Sequence, residues 1–240
     1  MRQAEKTQTQ IQVIARAGAI LRALENESAG LSLGQIAQRV HLARSTVQRI
    51  VAALAAEKLV IAASVHTDFA ALVRPFLVQL SHELHETVDL ATVKHDHLVF
   101  IDQVIGSQRL RTVSAVGESF PLSCTANGKA YLAELDDREI ERLIGRRFEA
   151  RTANTLTTLT ALLADLKTAR RTGVALDREE HTVGISAAGV ALRDLAGNYV
   201  AISVPVPTSR FKERQARIAA RLLATKRAIE SHMSVAEAAE

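Results

Sequence analysis

The chain has 240 residues, 48% of them hydrophobic and 23% charged, with a formal net charge of +4, which is the composition of a globular protein large enough for two modest domains. It contains no apolar run of about 18 residues that could span a membrane, its polar start, Met1–Gln10, lacks the apolar core of a signal peptide, and its single cysteine excludes an intrachain disulfide and a zinc-ligand pattern. The cytoplasm is the expected compartment, and neither a metal nor a cofactor is implied. The charge is unevenly placed: residues 1–66 carry eight Lys/Arg against four acids, whereas 67–240 carry 22 of each. A basic segment on a neutral body suits a nucleic-acid-binding module joined to a sensing or assembly module. With 3% aromatics and no Trp, base stacking on single strands is disfavoured.

Val13, Ala17, Ile20, Leu21 and Leu24 recur at helical spacing and predict a first helix over about 12–25. After the polar break Asn26–Gly30, Ser32 and Gln35 form a capping-box pattern, with Leu31 and Ile36 placed as a hydrophobic staple, so a second helix runs to about Val40. The turn His41-Leu42-Ala43 leads to a third helix over about 43–57, with Val47, Ile50, Val51 and Leu54 facing inward. Its other face presents Ser45, Gln48 and Arg49 to bases, with Arg44, Thr46 and the cap Ser32 placed for phosphates. There is no acid on this helix before Glu57. This is a helix-turn-helix whose third helix suits a DNA major groove, because Arg reads guanine, Gln reads adenine and hydroxyls bind phosphates.

From Asp68 an apolar face of Phe69, Leu72, Val73, Phe76, Leu77 and Leu80 predicts a helix, kinked or restarted at Pro75. Alternating runs at Asp89–Lys94, Leu98–Ile105 and Leu110–Ala115 predict an antiparallel meander, broken at His95-Asp96-His97 and Gly106-Ser107-Gln108. Helices are predicted over Thr125–Leu135, from Asp136-Asp137, over Leu156–Arg171 and from Ser209 to His232, and strands over Val183–Leu192 and Tyr199–Val206 around the Gly197-Asn198 turn. An α+β domain over 68–232 follows, with 233–240 as a disordered tail.

Four segments in register carry a resemblance: GLSLGQIAQRVHLARSTVQRIVAALAAEKLV (Gly30–Val60), PLSCTANGKAYLAEL (Pro121–Leu135), RTGVALDREEHTVGI (Arg171–Ile185) and ISVPVPTSRF (Ile202–Phe211). Together they resemble the IclR-type bacterial transcriptional regulators over nearly the whole chain. The resemblance implies an α/β protein: an α-rich winged helix-turn-helix domain over 1–63, then a GAF-like effector-binding domain with a mainly antiparallel sheet. It also implies a homodimer or tetramer on a pseudo-palindromic duplex operator, with repression as the more frequent outcome. An effector is expected at Cys124-Thr125-Ala126, where a helix N-terminus favours an anion, and at Asp177, Ala187, Ser203 and Pro205. Ala187 and Pro205 stand where relatives often carry Cys and Ser, so the pocket is expected to be more apolar, for a larger and aromatic or branched organic acid.

One feature departs from the family. About seven residues after Val60 cannot form both a wing hairpin and a linker helix, since fully extended they reach roughly 25 Å, and Ile61–Val65 has no turn chemistry. Either the protein lacks its wing and linker at 61–67, or a segment belongs to it that this sequence omits. The second is the expectation, because a bare junction leaves the third helix poorly packed; an intact mass of 26.0 kDa refutes it.

Three other functions compete with regulation. An enzyme would use Cys124 with a histidine, but no local pattern pairs them, and Gly128-Lys129 lacks the rest of a phosphate-binding loop. A metal site would need His82, His85, His95 and His97 to converge, which helix and turn positions explain more simply. A ligand-sensing protein that never touches DNA is the third.

Overall fold

The computed structural model describes residues 2–25, 31–56, 63–112, 116–145, 148–195 and 197–238. The chain forms two compact units, 1–69 and 70–240. The first holds α1 (Arg2–Glu25), α2 (Leu33–Val40) and α3 (Arg44–Ala56). Their core is Ile20 from α1, Leu31, Leu33 and Ile36 around the start of α2, and Val47, Ile50, Val51 and Leu54 from α3, so the expected stripes are the observed ones. Two positions differ. Val13 is 47% exposed rather than inward, because the α1 residues packed on this core run only from Ala17 to Leu24. The helix also begins well before residue 12, through a stretch rich in Gln, Ala, Lys and Glu that favours helix.

Residues 57–62, which include the start of the expected junction at 61–67, lie outside the described residues. From Ala63 the chain is helical, and α4 (Ala63–Leu84) runs through Pro75 without a break, starting five residues before the expected Asp68. The division between the units falls inside this helix.

The second unit is built on a six-stranded sheet of order β3-β2-β1-β6-β5-β4, antiparallel throughout. Its strands are β1 (Val88–Lys94), β2 (His97–Val104), β3 (Ser119–Pro121), β4 (Ala175–Arg178), β5 (Ile185–Arg193) and β6 (Tyr199–Pro207). Strands β5 and β6 are buried at nearly every consecutive position. Both faces are therefore covered, and α5 (Ala126–Ala133) and α8 (Thr208–Ala238) are the helices packed on them. The helices α6 (Asp137–Ile144) and α7 (Leu159–Thr172) complete the layer around α5.

Three elements differ from expectation. Leu110–Ala115 is not the third strand of the meander; β3 takes that edge instead, and residues 113–115 lie outside the described ones. The stretch before it is irregular because its backbone is claimed by side chains: Arg210 Nη2 donates to the Leu110 carbonyl (2.8 Å) and Thr87 Oγ1 to that of Thr112 (2.7 Å). Strand β4, at four residues, is too short to show a period. Helix α8 continues to Ala238 instead of yielding to a tail after His232, since Ser-Val-Ala-Glu-Ala-Ala offers no breaker.

The junction of α4 with β1 is tied to α8 by a buried carboxylate. Glu86 is fully buried and accepts from Arg210 Nε (3.0 Å) and Nη2 (2.9 Å) and from Arg214 Nη1 (3.1 Å). Removing the shared acceptor strands two guanidinium groups, whereas removing Arg214 leaves the bidentate partner in place. Glu86→Ala is expected to cost about 3 kcal/mol in urea denaturation followed by circular dichroism, and Arg214→Ala less than about 1.5 kcal/mol; equal costs would contradict this ranking.

Candidate functional site

In the first unit, α2 is fixed at its start by the expected reciprocal cap. Gln35 N donates to Ser32 Oγ (3.3 Å) and Ser32 N to Gln35 Oε1 (2.9 Å). His41 closes the helix at φ 52, a left-handed turn that redirects the chain into α3. With Val47, Ile50, Val51 and Leu54 held in the core, α3 exposes Arg44, Ser45, Gln48 and Arg49, with Thr46 half-buried beside them and only Ala52 and Ala53 further along. Small residues there leave room for a duplex wall. Ser32 is occupied as a cap through its oxygen, and its hydroxyl proton remains to be placed.

In the second unit, six of the seven expected pocket residues line one cavity of about 250 Å³: Thr125, Ala126, Asp177, Ala187, Ser203 and Pro205. The seventh, Cys124, does not line it. It is 1% exposed, and burial, reinforced by the Asp177 charge, pushes its thiol up to about 12. A thiolate nucleophile requires the opposite shift.

Thr125 starts α5, accepting from Gly128 N (3.2 Å) while donating to the Pro121 carbonyl (2.9 Å). Asp177 on β4 faces Ala187 on β5 in register and accepts from Glu180 N (2.7 Å). Glu180 in turn accepts from Lys129 Nζ (2.6 Å), a fully buried ammonium that also reaches Asp165 Oδ2 (2.8 Å). Burial raises Asp177 to about 7, against the Glu180 amide, which lowers it.

Several lining residues were not anticipated. Phe120 stacks on His181 (centroids 4.3 Å) and meets Phe100 edge-on (5.1 Å), which gives the cavity an aromatic wall. Burial first, and Arg151 second, lower the His181 pKa. Asp89, 1% exposed, accepts from Gln103 Nε2 (2.7 Å). Asn127 adds an amide from the first turn of α5. Asn127 and His181 lie inside the quoted segments Pro121–Leu135 and Arg171–Ile185, whereas Asp89, Phe100 and Phe120 carried no such signal. A smaller hollow of about 140 Å³ beside Ala130, Ala169 and Gly173 is lined by Glu134 and Arg170 and by no aromatic side chain. Among the described residues no three His, Cys, Asp or Glu side chains are placed to hold a metal ion, so the four histidines named above do not converge.

Two family models cover the chain: the IclR helix-turn-helix domain over residues 13–61 and the bacterial transcriptional regulator IclR C-terminal domain over 61–231. The chain belongs to the IclR family of transcriptional regulators. Family membership makes it a regulator with a DNA-binding helix-turn-helix, not an enzyme. It is 47% identical to the HTH-type transcriptional regulator Rv1719 of Mycobacterium tuberculosis, with 89% of each chain covered. It is 38% identical to the HTH-type transcriptional regulator TtgV of Pseudomonas putida, covering 92% of this chain and 91% of that one. An IclR homologue from Microbacterium hydrocarbonoxydans, solved in complex with 4-hydroxybenzoate, has the same fold at a TM-score of 0.65 and 17% identity, over 93% of this chain and 99% of that one.

In this IclR-family pocket the Asp177 shift fixes a pH dependence. An unfolded Asp loses its proton near 3.8 and the folded one near 7, so between these values the folded state holds more protons and stability falls as pH rises, levelling above 7. Asp177→Asn removes this loss. Between pH 5 and pH 8 the variant should gain about 2 kcal/mol relative to the unsubstituted protein, read by urea denaturation at each pH. A relative loss over that range would contradict the assignment.

Proposed function

We propose that the protein is a repressor whose affinity for a pseudo-palindromic duplex operator is set by a small organic metabolite in the cavity between α5 and the sheet. The observation that carries this is the convergence of Thr125, Ala126, Asp177, Ala187, Ser203 and Pro205 on that one cavity, in a chain whose other unit exposes an acid-free helix face. The aromatic wall supports an aromatic ligand, as does the presence of 4-hydroxybenzoate in the Microbacterium homologue. The organic-acid expectation rests on the α5 N-terminus, and the two carboxylates in the lining oppose it. Repression is taken as the family's more frequent outcome.

In this reading Ser45, Gln48 and Arg49 face bases, and Ser32, Arg44 and Thr46 hold phosphates. One such unit buries little duplex, so a homodimer or a tetramer is needed to read two half-sites. The wing and linker missing at 61–67 are taken to belong to a segment that this sequence omits, a reading supported by the alignment with Rv1719, which spans 231 positions of which this chain supplies about 214 (89% of 240). About 17 positions of that relative therefore have no counterpart here.

The test is binding to duplex DNA from upstream of the protein's own coding sequence, followed by anisotropy over a salt series. Arg49→Ala should weaken this site by about 10- to 100-fold and leave random duplex nearly unchanged. Arg44→Ala should weaken both alike and reduce the salt slope by about one. Indistinguishable effects of the two substitutions would overturn the assignment.

A further inference from the structure

The cavity contains a buried donor with nothing to donate to. Asn127 is 3% exposed and lines the cavity, yet among the described residues its Nδ2 has no hydrogen-bond partner. Such a group costs about 1–3 kcal/mol, and native proteins keep few of them without a reason.

Two acceptors border the same space. Asp89 and Asp177 are 1% and 5% exposed and line the cavity with Asn127. No Lys or Arg is among the described lining residues. Lys129 is engaged by Asp165 and Glu180, and Arg151 by Glu149 and the His181 ring. The amide of Gly128 in the first turn of α5 is taken by Thr125 Oγ1, and a helix N-terminus offers only about half a positive charge.

We propose that this pocket selects a neutral aromatic ligand bearing a hydroxyl, which accepts from Asn127 Nδ2 and donates to the carboxylate of Asp89 or Asp177, and that it rejects the corresponding carboxylate anion. A hydroxyl both donates and accepts, whereas an ionised carboxylate only accepts. The anion would satisfy Asn127 and leave its charge facing two buried carboxylates, where low dielectric magnifies repulsion. A hydroxyl donating to a carboxylate forms the stronger, charge-assisted bond. Phe100, Phe120 and His181 supply the surface for a ring. The volume of about 250 Å³ exceeds the roughly 150 Å³ that holds benzene, leaving room for a substituted ring.

This inference rests on the pocket being the effector site, and the experiment separates the two. The full chain is titrated calorimetrically at pH 8 with 4-propylphenol and with 4-propylbenzoate, and each titration is repeated with Asn127→Ala. The phenol should bind at least about tenfold more tightly than the benzoate, and Asn127→Ala should lower phenol affinity about tenfold with little change for the benzoate. The same substitution should leave the ligand-free unfolding midpoint unchanged or higher, because it removes an unpaired donor. Equal or tighter benzoate binding, no phenol binding, phenol affinity indifferent to Asn127→Ala, or a lowered midpoint would each overturn the proposal. Operator anisotropy with both compounds then distinguishes the readings. Phenol binding without a change in DNA affinity sinks the regulatory reading and spares the ligand class. Benzoate binding that changes DNA affinity does the reverse.

Discussion

The cavity beside α5 depends on how closely the start of that helix lies against the sheet. A Cβ on Gly128 would stand 2.3 Å from the Leu122 carbonyl oxygen, and one on Gly189 of β5 would stand 2.8 Å from that of Ala126. No side chain fits either gap, because in both cases the obstacle is backbone. With glycine at both positions, the first turn of α5 brings Thr125, Ala126 and Asn127 to the edge of a cavity floored by Ala187, Ser203 and Pro205. Larger residues on β5 and β6 would fill that space. Lys129, next in the same helix, then clamps the β4 turn through Glu180, and Glu180 holds Asp177 through its own amide. Backbone contact, buried ion pair and pocket acid are thus successive links of one chain of contacts.

The arrangement sacrifices stability at the site. Asp177 is held where its charge is disfavoured, and the Nδ2 of Asn127 and the Oε2 of Glu180 are buried without partners among the described residues. Titratable and unpaired groups of this kind cluster where a protein must recognise something. The remainder of the second unit shows the opposite economy: Glu86 is buried with two arginines, and β5 and β6 are covered on both faces.

Local rules were legible in the sequence wherever the determining residues are neighbours. Ser32 and Gln35 state their cap three residues apart, the stripe from Val47 to Leu54 states the buried face of α3, and Gly197-Asn198 states the turn between β5 and β6. Six of the positions that the resemblance names line one cavity, whereas Cys124 is buried in the core and does not. Asp89, Phe100 and Phe120 were hidden because they come from distant segments that only the strand order assembles. Leu110 to Ala115 alternates like a strand, but Arg210 and Thr87 take the carbonyls that a ladder would need, from positions far off in the chain. No period in a single stretch reveals such competition.

The most direct test of the account is to fill the cavity from its floor. Ala187→Leu places a branched side chain where the ligand is taken to sit and leaves α3 untouched. A panel of single-ring phenols, benzoates and neutral arenes is screened on the parent and the variant for thermal stabilisation and for changes in operator affinity. The account predicts that every compound altering DNA binding also stabilises the parent, and that both effects disappear in Ala187→Leu while ligand-free DNA affinity stays within about twofold. A compound that shifts operator affinity equally in both proteins would contradict it, because control would then come from somewhere other than this pocket.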